Sequence, residues 1–160
     1  DMPAPDKRAA ARAEKANSLH DVMTAAAEWF RQQLDGIEGT AARALLDKRG
    51  ISDATRRNFG FGFAPDARGK LRAAMKQFGD AMLIEAGLLI SVEGKEPYDR
   101  FRGRLMIPIR DPRGRTIAFG GRARYNIANA LAAQNVLTQG AFLREVFEPP
   151  APLQREKVQV

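Results

Sequence analysis

The chain has 160 residues, 44% of them hydrophobic and 28% charged, with a formal net charge of +7. That length suits one domain-sized core, and no apolar run approaches the ~20 residues of a membrane-spanning helix, so no membrane partner is expected. With no cysteine and a single histidine, His20, disulfide frameworks, zinc ribbons and thiol nucleophiles are excluded, and the N-terminus lacks a hydrophobic signal core, which gives an expected cytoplasmic location.

Residues 1–16 combine alanine runs, two prolines and mixed charges and read as a linker. Ser18-Leu19-His20-Asp21 has the spacing of a helix N-cap, and Leu19, Val22, Met23, Ala26, Phe30 and Leu34 then recur on one helical face. Gly36 ends this helix. Thr40 is placed to cap a second helix running to about Arg49, with Gly50 in the left-handed position after it, and Ser52 caps a third helix ending near Phe59. Phe59-Gly60-Phe61-Gly62-Phe63 alternates rings with glycines. That pattern predicts a strand with three rings on one side and bare backbone on the other, open to close approach by another element. The rings are read as core groups rather than base-stacking platforms, as are Trp29 and Phe30, and His20 is read as a helix-end or surface residue. Helical patterns return at 71–78, closed by Gly79, and at 81–86, closed by Gly87, and residues 88–92 read as a strand.

The clearest β signal is Arg104-Leu105-Met106-Ile107-Pro108-Ile109-Arg110, then the turn Asp111-Pro112-Arg113-Gly114 and a second strand from Arg115 to Gly121. With Arg110 opposite Arg115, Leu105, Ile107 and Ile109 share a face with Thr116 and Ala118, and Met106 pairs with Phe119 on the other. Pro108 cannot donate to a ladder and places its strand at an edge there. Beyond Arg124, residues 127–137 and 142–147 read as helical, Glu148-Pro149-Pro150-Ala151-Pro152 as a stiff linker, and 149–160 as loosely held. The expected fold is α+β: N-terminal helices packed on a small, mainly antiparallel sheet carrying an Arg-rich hairpin. The folded unit is assigned to 17–124 and an atypical, partly helical tail with a Pro-rich end to 125–160.

Charge is concentrated in that hairpin. From Asp99 to Arg124 there are eight arginines against two acids, Asp99 and Asp111, which accounts for nearly all of the excess. All are arginine, whose planar fork binds phosphate oxygens bidentately where lysine acts as a point charge. Nucleic acid is therefore the expected partner.

The stretch from Tyr98 to Arg122, YDRFRGRLMIPIRDPRGRTIAFGGR, closely resembles the basic block in the catalytic core of bacterial DnaG-type DNA primases. Upstream, Leu46-Asp47-Lys48-Arg49-Gly50-Ile51-Ser52 and Phe59-Gly60-Phe61-Gly62-Phe63-Ala64-Pro65 follow the family's order, so the resemblance spans roughly residues 2–124, and Tyr125-Asn126-Ile127-Ala128-Asn129-Ala130 echoes a later helix.

The resemblance implies the N-terminal subdomain of an RNA polymerase core. Such a subdomain supplies the groove that guides single-stranded DNA and the RNA–DNA hybrid, with the replicative helicase reached through other parts of the protein. The implied nucleic-acid-binding residues are Arg102, Arg104, Arg113, Arg115, Gly120, Gly121 and Arg122, with Lys48 and Arg49. At the double glycine, backbone N–H groups can approach a phosphate where a Cβ would intrude.

The family's metal site uses Mg²⁺ or Mn²⁺ held by a Toprim segment, a Glu on one strand and an Asp-x-Asp on a later one. This sequence has no Asp-x-Asp, and Glu93, in a stretch that superficially resembles the Toprim strand but precedes the basic block rather than following it, is read as a decoy. The zinc module and the lysine-tyrosine-leucine-asparagine stretch of the family have no counterpart either. No cofactor or catalytic residue is assigned to this chain, which is expected to be inactive as a nucleotidyltransferase on its own. The functional expectation is part of a primase that makes short RNA primers during DNA replication. The alternatives are a stand-alone single-stranded nucleic-acid-binding module derived from such a core and, less in keeping with the motifs, a ribosomal-type RNA-binding protein.

Overall fold

Helix α1 runs from Lys7 to Asp35 in the computed structural model, which describes residues 7–122. It begins well before the cap expected at Ser18. The alanines between residues 9 and 16 are strong helix formers, and the Ser18 hydroxyl donates to the Glu14 carbonyl at 3.0 Å instead of capping a new helix. His20 consequently sits half-buried in mid-helix rather than at an end. Residues 7–16 are exposed, tied to the body by an ion pair from Lys15 to Glu85 at 2.8 Å. From Val22 onward the helix packs through the expected face: Val22, Met23, Ala26, Phe30 and Leu34 are all buried.

A 3-10 turn at Ile37–Gly39 leads into α2 (Thr40–Lys48), where Thr40 is the first helical residue and its hydroxyl donates to the Ile37 carbonyl. Gly50 takes the left-handed conformation that follows α2, at φ 74°. Ser52 caps α3 (Asp53–Phe59) as expected, accepting the Thr55 N–H at 3.2 Å. The aromatic–glycine stretch is not one strand. Phe59 closes α3, Gly60 turns the chain at φ 67°, and strand β1 covers only Gly62–Ala64. Then come α4 (Lys70–Ala74), a 3-10 turn at Lys76–Phe78, α5 (Asp80–Glu85) and a two-stranded antiparallel pair, β2 (Leu89–Ile90) with β3 (Tyr98–Asp99). The strand expected over 88–92 is thus shorter, because Ser91–Glu96 form an exposed loop.

Strands β4 (Arg104–Arg110) and β5 (Thr116–Arg122) form the hairpin and complete an antiparallel sheet of order β1-β4-β5. Its register differs from the expectation. Arg110 lies opposite Thr116, a bulge follows, and from there Ile109 faces Ala118, Pro108 faces Phe119 and Met106 faces Gly121. The turn explains the shift. Asp111 Oδ1 accepts the N–H groups of Arg113 and Arg115 at 2.9 Å each, and Gly114 adopts φ 79°, so the loop closes with a residue to spare and the bulge absorbs it. The slip is even, so Leu105 and Ile107 keep their shared face. β4 is the central strand rather than an edge, and its ladder with β1 covers only Arg104–Met106, stopping short of Pro108, which cannot donate to it.

Alternation along β4 serves two cores. Met106 joins Val22, Ala26, Phe30, Leu71, Leu83 and Leu88 on the α1 side, where Phe30 also meets Phe119 edge-on at 5.2 Å. Ile107 joins Leu34, Leu46, Ile51 and Phe61 on the other, with Phe59, Phe63 and Leu105 packed against them. The three rings of the glycine-rich stretch and Trp29, edge-on to Phe30 at 5.3 Å, are packing groups.

Two buried charged groups stitch elements together. Asp99, which sequence counting sets against the arginines, instead accepts the backbone N–H groups of Leu71 and Arg72 at 3.1 Å each and so caps α4 from another strand. Arg56 donates to the Ile51 carbonyl at 2.8 Å and pairs with Asp53 at 3.0 Å and with Asp47. Residues 125–160, with the helices expected there, lie outside the described residues.

Candidate nucleic-acid interface

Each implied binding residue owes its position to the hairpin or to α2. Arg102 is exposed in the short connection between β3 and β4, and Arg104 is half-buried at the start of β4, opposite Ala64 of β1. Arg122 takes the position opposite Leu105, next to Arg104 in register, and Gly121 and Gly120 precede it opposite Met106 and Ile107. The ladder runs through both glycines without a shift. They are therefore regular strand residues, and a bulge does not account for them.

Arg113 and Arg115 stand at the other end. β4 has seven residues, so the turn lies about 20 Å from Arg104 along the strand. The structure thus divides the basic block into two groups, one at the open end of the hairpin and one at its turn. At the turn Arg115 is clasped by Asp111 at 2.7 Å, while Arg113 is exposed. Two arginines from elsewhere, Arg31 of α1 and Arg57 of α3, join this turn group around one cavity. No local pattern signals them, because only tertiary packing brings them to the hairpin. Lys48 is exposed at the end of α2 and Arg49 follows half-buried. Leu46 of the same helix shares a core with Ile107, which sets α2 beside the hairpin face that includes Leu105.

Local acids account for several other cations. Arg72 is bound by Asp80 at 2.7 Å and Glu96 at 2.8 Å, which raises its pKa and lowers that of Asp80. Glu93 is exposed in the β2–β3 loop, and among the described residues no three His, Asp or Glu side chains gather as a metal ion would require. The described residues do not fit the family's two-metal site, which needs several carboxylates converging on the cations. No described helix is long and apolar enough to cross a membrane.

These features define a helix-backed antiparallel sheet whose long hairpin displays arginines at both ends. The family model for the DNA primase catalytic core, N-terminal domain, matches residues 29–132. The DNA primase of Salmonella typhimurium strain LT2 is 40% identical over 114 residues, covering 68% of this chain and 19% of the relative. That of Neisseria meningitidis serogroup A is 44% identical over 96 residues, covering 60% and 16%. Among solved structures, a DnaG primase catalytic domain bound to ssDNA is 39% identical with a TM-score of 0.64, covering 69% of this chain and 36% of that one. The RNA polymerase domain of Mycobacterium tuberculosis primase DnaG, in complex with a double-stranded DNA oligomer with a 6-nucleotide overhang, is 34% identical with a TM-score of 0.63, covering 69% and 35%. The chain belongs to the DnaG-type DNA primase family and corresponds to the N-terminal part of its catalytic core. It spans less than a fifth of the length of these two curated relatives.

Proposed function

We propose that this chain supplies the basic template- and hybrid-binding surface of a primase that makes short RNA primers on single-stranded DNA. The observation that carries this reading is the gathering of Arg104 and the Arg122 position side by side at the open end of the hairpin, with Arg102 just before and Gly120-Gly121 alongside. Guanidinium groups there neutralise phosphates, and strand glycines without Cβ atoms let a nucleic-acid backbone come close. Lys48 and Arg49 extend the surface along α2. The family's relation to ssDNA-bound and duplex-bound catalytic domains supports it. Metal-assisted bond formation and contacts with the replicative helicase are assigned to other parts of the primase. This chain alone is expected to form no primers with Mg²⁺ or Mn²⁺ and NTPs.

The test is the salt dependence of binding to an oligothymidylate, followed by fluorescence anisotropy. If about 4 arginines touch phosphate, the log–log slope is near −3, at ~0.7 ion per contact on single strands. Arg102→Ala with Arg104→Ala should flatten it by ~1.4, while the charge-matched control Lys76→Ala with Lys95→Ala leaves it unchanged. A slope indistinguishable from zero, or equal effects of the two pairs, overturns the reading.

A further inference from the structure

Between α1, the end of α3 and the turn of the hairpin lies a cavity of about 570 Å³. Arg31, Arg57, Arg110, Arg113 and Arg115 line it, with Glu28 as its one carboxylate among the described residues. The arginines come from three separate elements, so helix-end or turn preferences acting one residue at a time do not explain their convergence.

Three of them are held in place. Arg31 forms a two-point clasp with both carboxylate oxygens of Glu28 at 2.7 and 3.0 Å, whereas Arg115 donates from Nε to Asp111 Oδ2 at 2.8 Å with Nη2 2.7 Å from the same oxygen. Arg110 donates to the Asn58 carbonyl at 3.3 Å and passes so close over Gly60 that a Cβ there would stand 2.6 Å from its Nη2. A guanidinium carries five N–H donors in a fixed fork, more than either contact engages. Among the described residues neither Arg57 nor Arg113 has a carboxylate partner, and both are exposed. The positive charge of the cavity therefore exceeds what its own acids neutralise, and much of it is fixed before any ligand arrives.

We propose that this cavity is a second anchoring site for the phosphodiester backbone of a nucleic-acid strand, separate from the open-end surface. Among the described residues no aromatic side chain lines it, so they offer no platform on which to stack a base, and the chemistry they offer is sequence-independent phosphate contact. Its distance of about 20 Å from Arg104 along β4 makes it a distinct grip on the same strand. The inference rests on the reading of this chain as a nucleic-acid-binding part of a primase.

The experiment uses the full 160-residue chain and an oligothymidylate of about 20 nucleotides, titrated at several salt concentrations. Arg57→Ala with Arg113→Ala should flatten the log–log slope by ~1.4. Combined with Arg102→Ala and Arg104→Ala the loss should double, as two separate grips require, and the thermal midpoint of the Arg57/Arg113 variant should match wild type because both side chains are exposed. An unchanged slope in the Arg57/Arg113 variant overturns the proposal, whereas an unchanged slope in the Arg102/Arg104 variant overturns the open-end surface instead. Pyrophosphate provides the other arm. If the Arg57/Arg113 variant loses pyrophosphate binding but keeps its strand affinity and slope, the cavity takes a free phosphate compound and the strand assignment fails.

Discussion

Gly62 lies directly against Phe30. A Cβ on Gly62 would stand 2.5 Å from the Phe30 Cβ and 2.7 Å from its carbonyl carbon. The bare backbone expected of the aromatic–glycine stretch is used here by helix α1 and not by a ligand. Gly62→Ala should therefore destabilise the fold by ~1–3 kcal/mol, the usual result of overpacking a core that cannot give way. Urea denaturation checks this, and wild-type stability would mean that α1 can lift off β1 at little cost.

Asp99 replaces a missing local cap. The residue before α4 is Gly69, which has no side chain to offer, and the two carboxylate oxygens of Asp99 accept one N–H each from Leu71 and Arg72. An asparagine retains one acceptor and an alanine none. Stability should fall in the order wild type, Asp99→Asn, Asp99→Ala, with the alanine costing ~1–3 kcal/mol for stranded buried N–H groups. Strand affinity of the folded protein should be unaltered, and denaturation and anisotropy measured side by side separate the two effects.

Acid should loosen the hairpin turn through Asp111. The Arg115 backbone N–H, with smaller help from the Arg115 guanidinium and the Arg113 N–H, holds its carboxyl below the ordinary aspartate value of 3.8. The unfolded chain then binds the proton more readily than the folded one. The stabilisation is complete above the ordinary value and is lost as pH falls through the depressed one. The stability gap between wild type and Asp111→Asn should be full at neutral pH and close in acid. A gap that stays constant across that range, in melts recorded from neutral pH downward, would show that the carboxylate charge contributes nothing.

At the open end of the hairpin, Gly121→Ala tests close approach. Gly121 lies in an unbroken ladder opposite Met106, where an extended backbone suits alanine as well as glycine. The expected outcome is weaker single-strand binding with the thermal midpoint within a few degrees of wild type, and Arg122→Ala should behave likewise. A lower midpoint with unchanged affinity would assign the glycine to folding.

Much of this was legible in the sequence because it is local. The apolar face from Val22 to Leu34, the Ser52 cap, the left-handed Gly50 and the two hairpin strands all follow from spacing and residue chemistry within a few positions. Three features were not. The Ser18 cap pattern lost to the alanine-rich segment before it, the hairpin register moved with a bulge that the turn residues impose, and Phe59 was claimed by α3. The site followed the same division. The arginines of the basic block were plain to count, but their separation into two ends depends on register, and the roles of Arg57 and Asp99 depend on contacts across the fold.

Met106 and Ile107, adjacent in β4, face different cores. One short strand is thus the common wall of two hydrophobic compartments, and neither compartment can lose its wall without exposing the other. Melting should accordingly be a single cooperative event, with calorimetric and van't Hoff enthalpies in agreement. The same wall joins the two arginine groups, so the spacing between them is set by a beam braced from both sides and not by a loop free to bend.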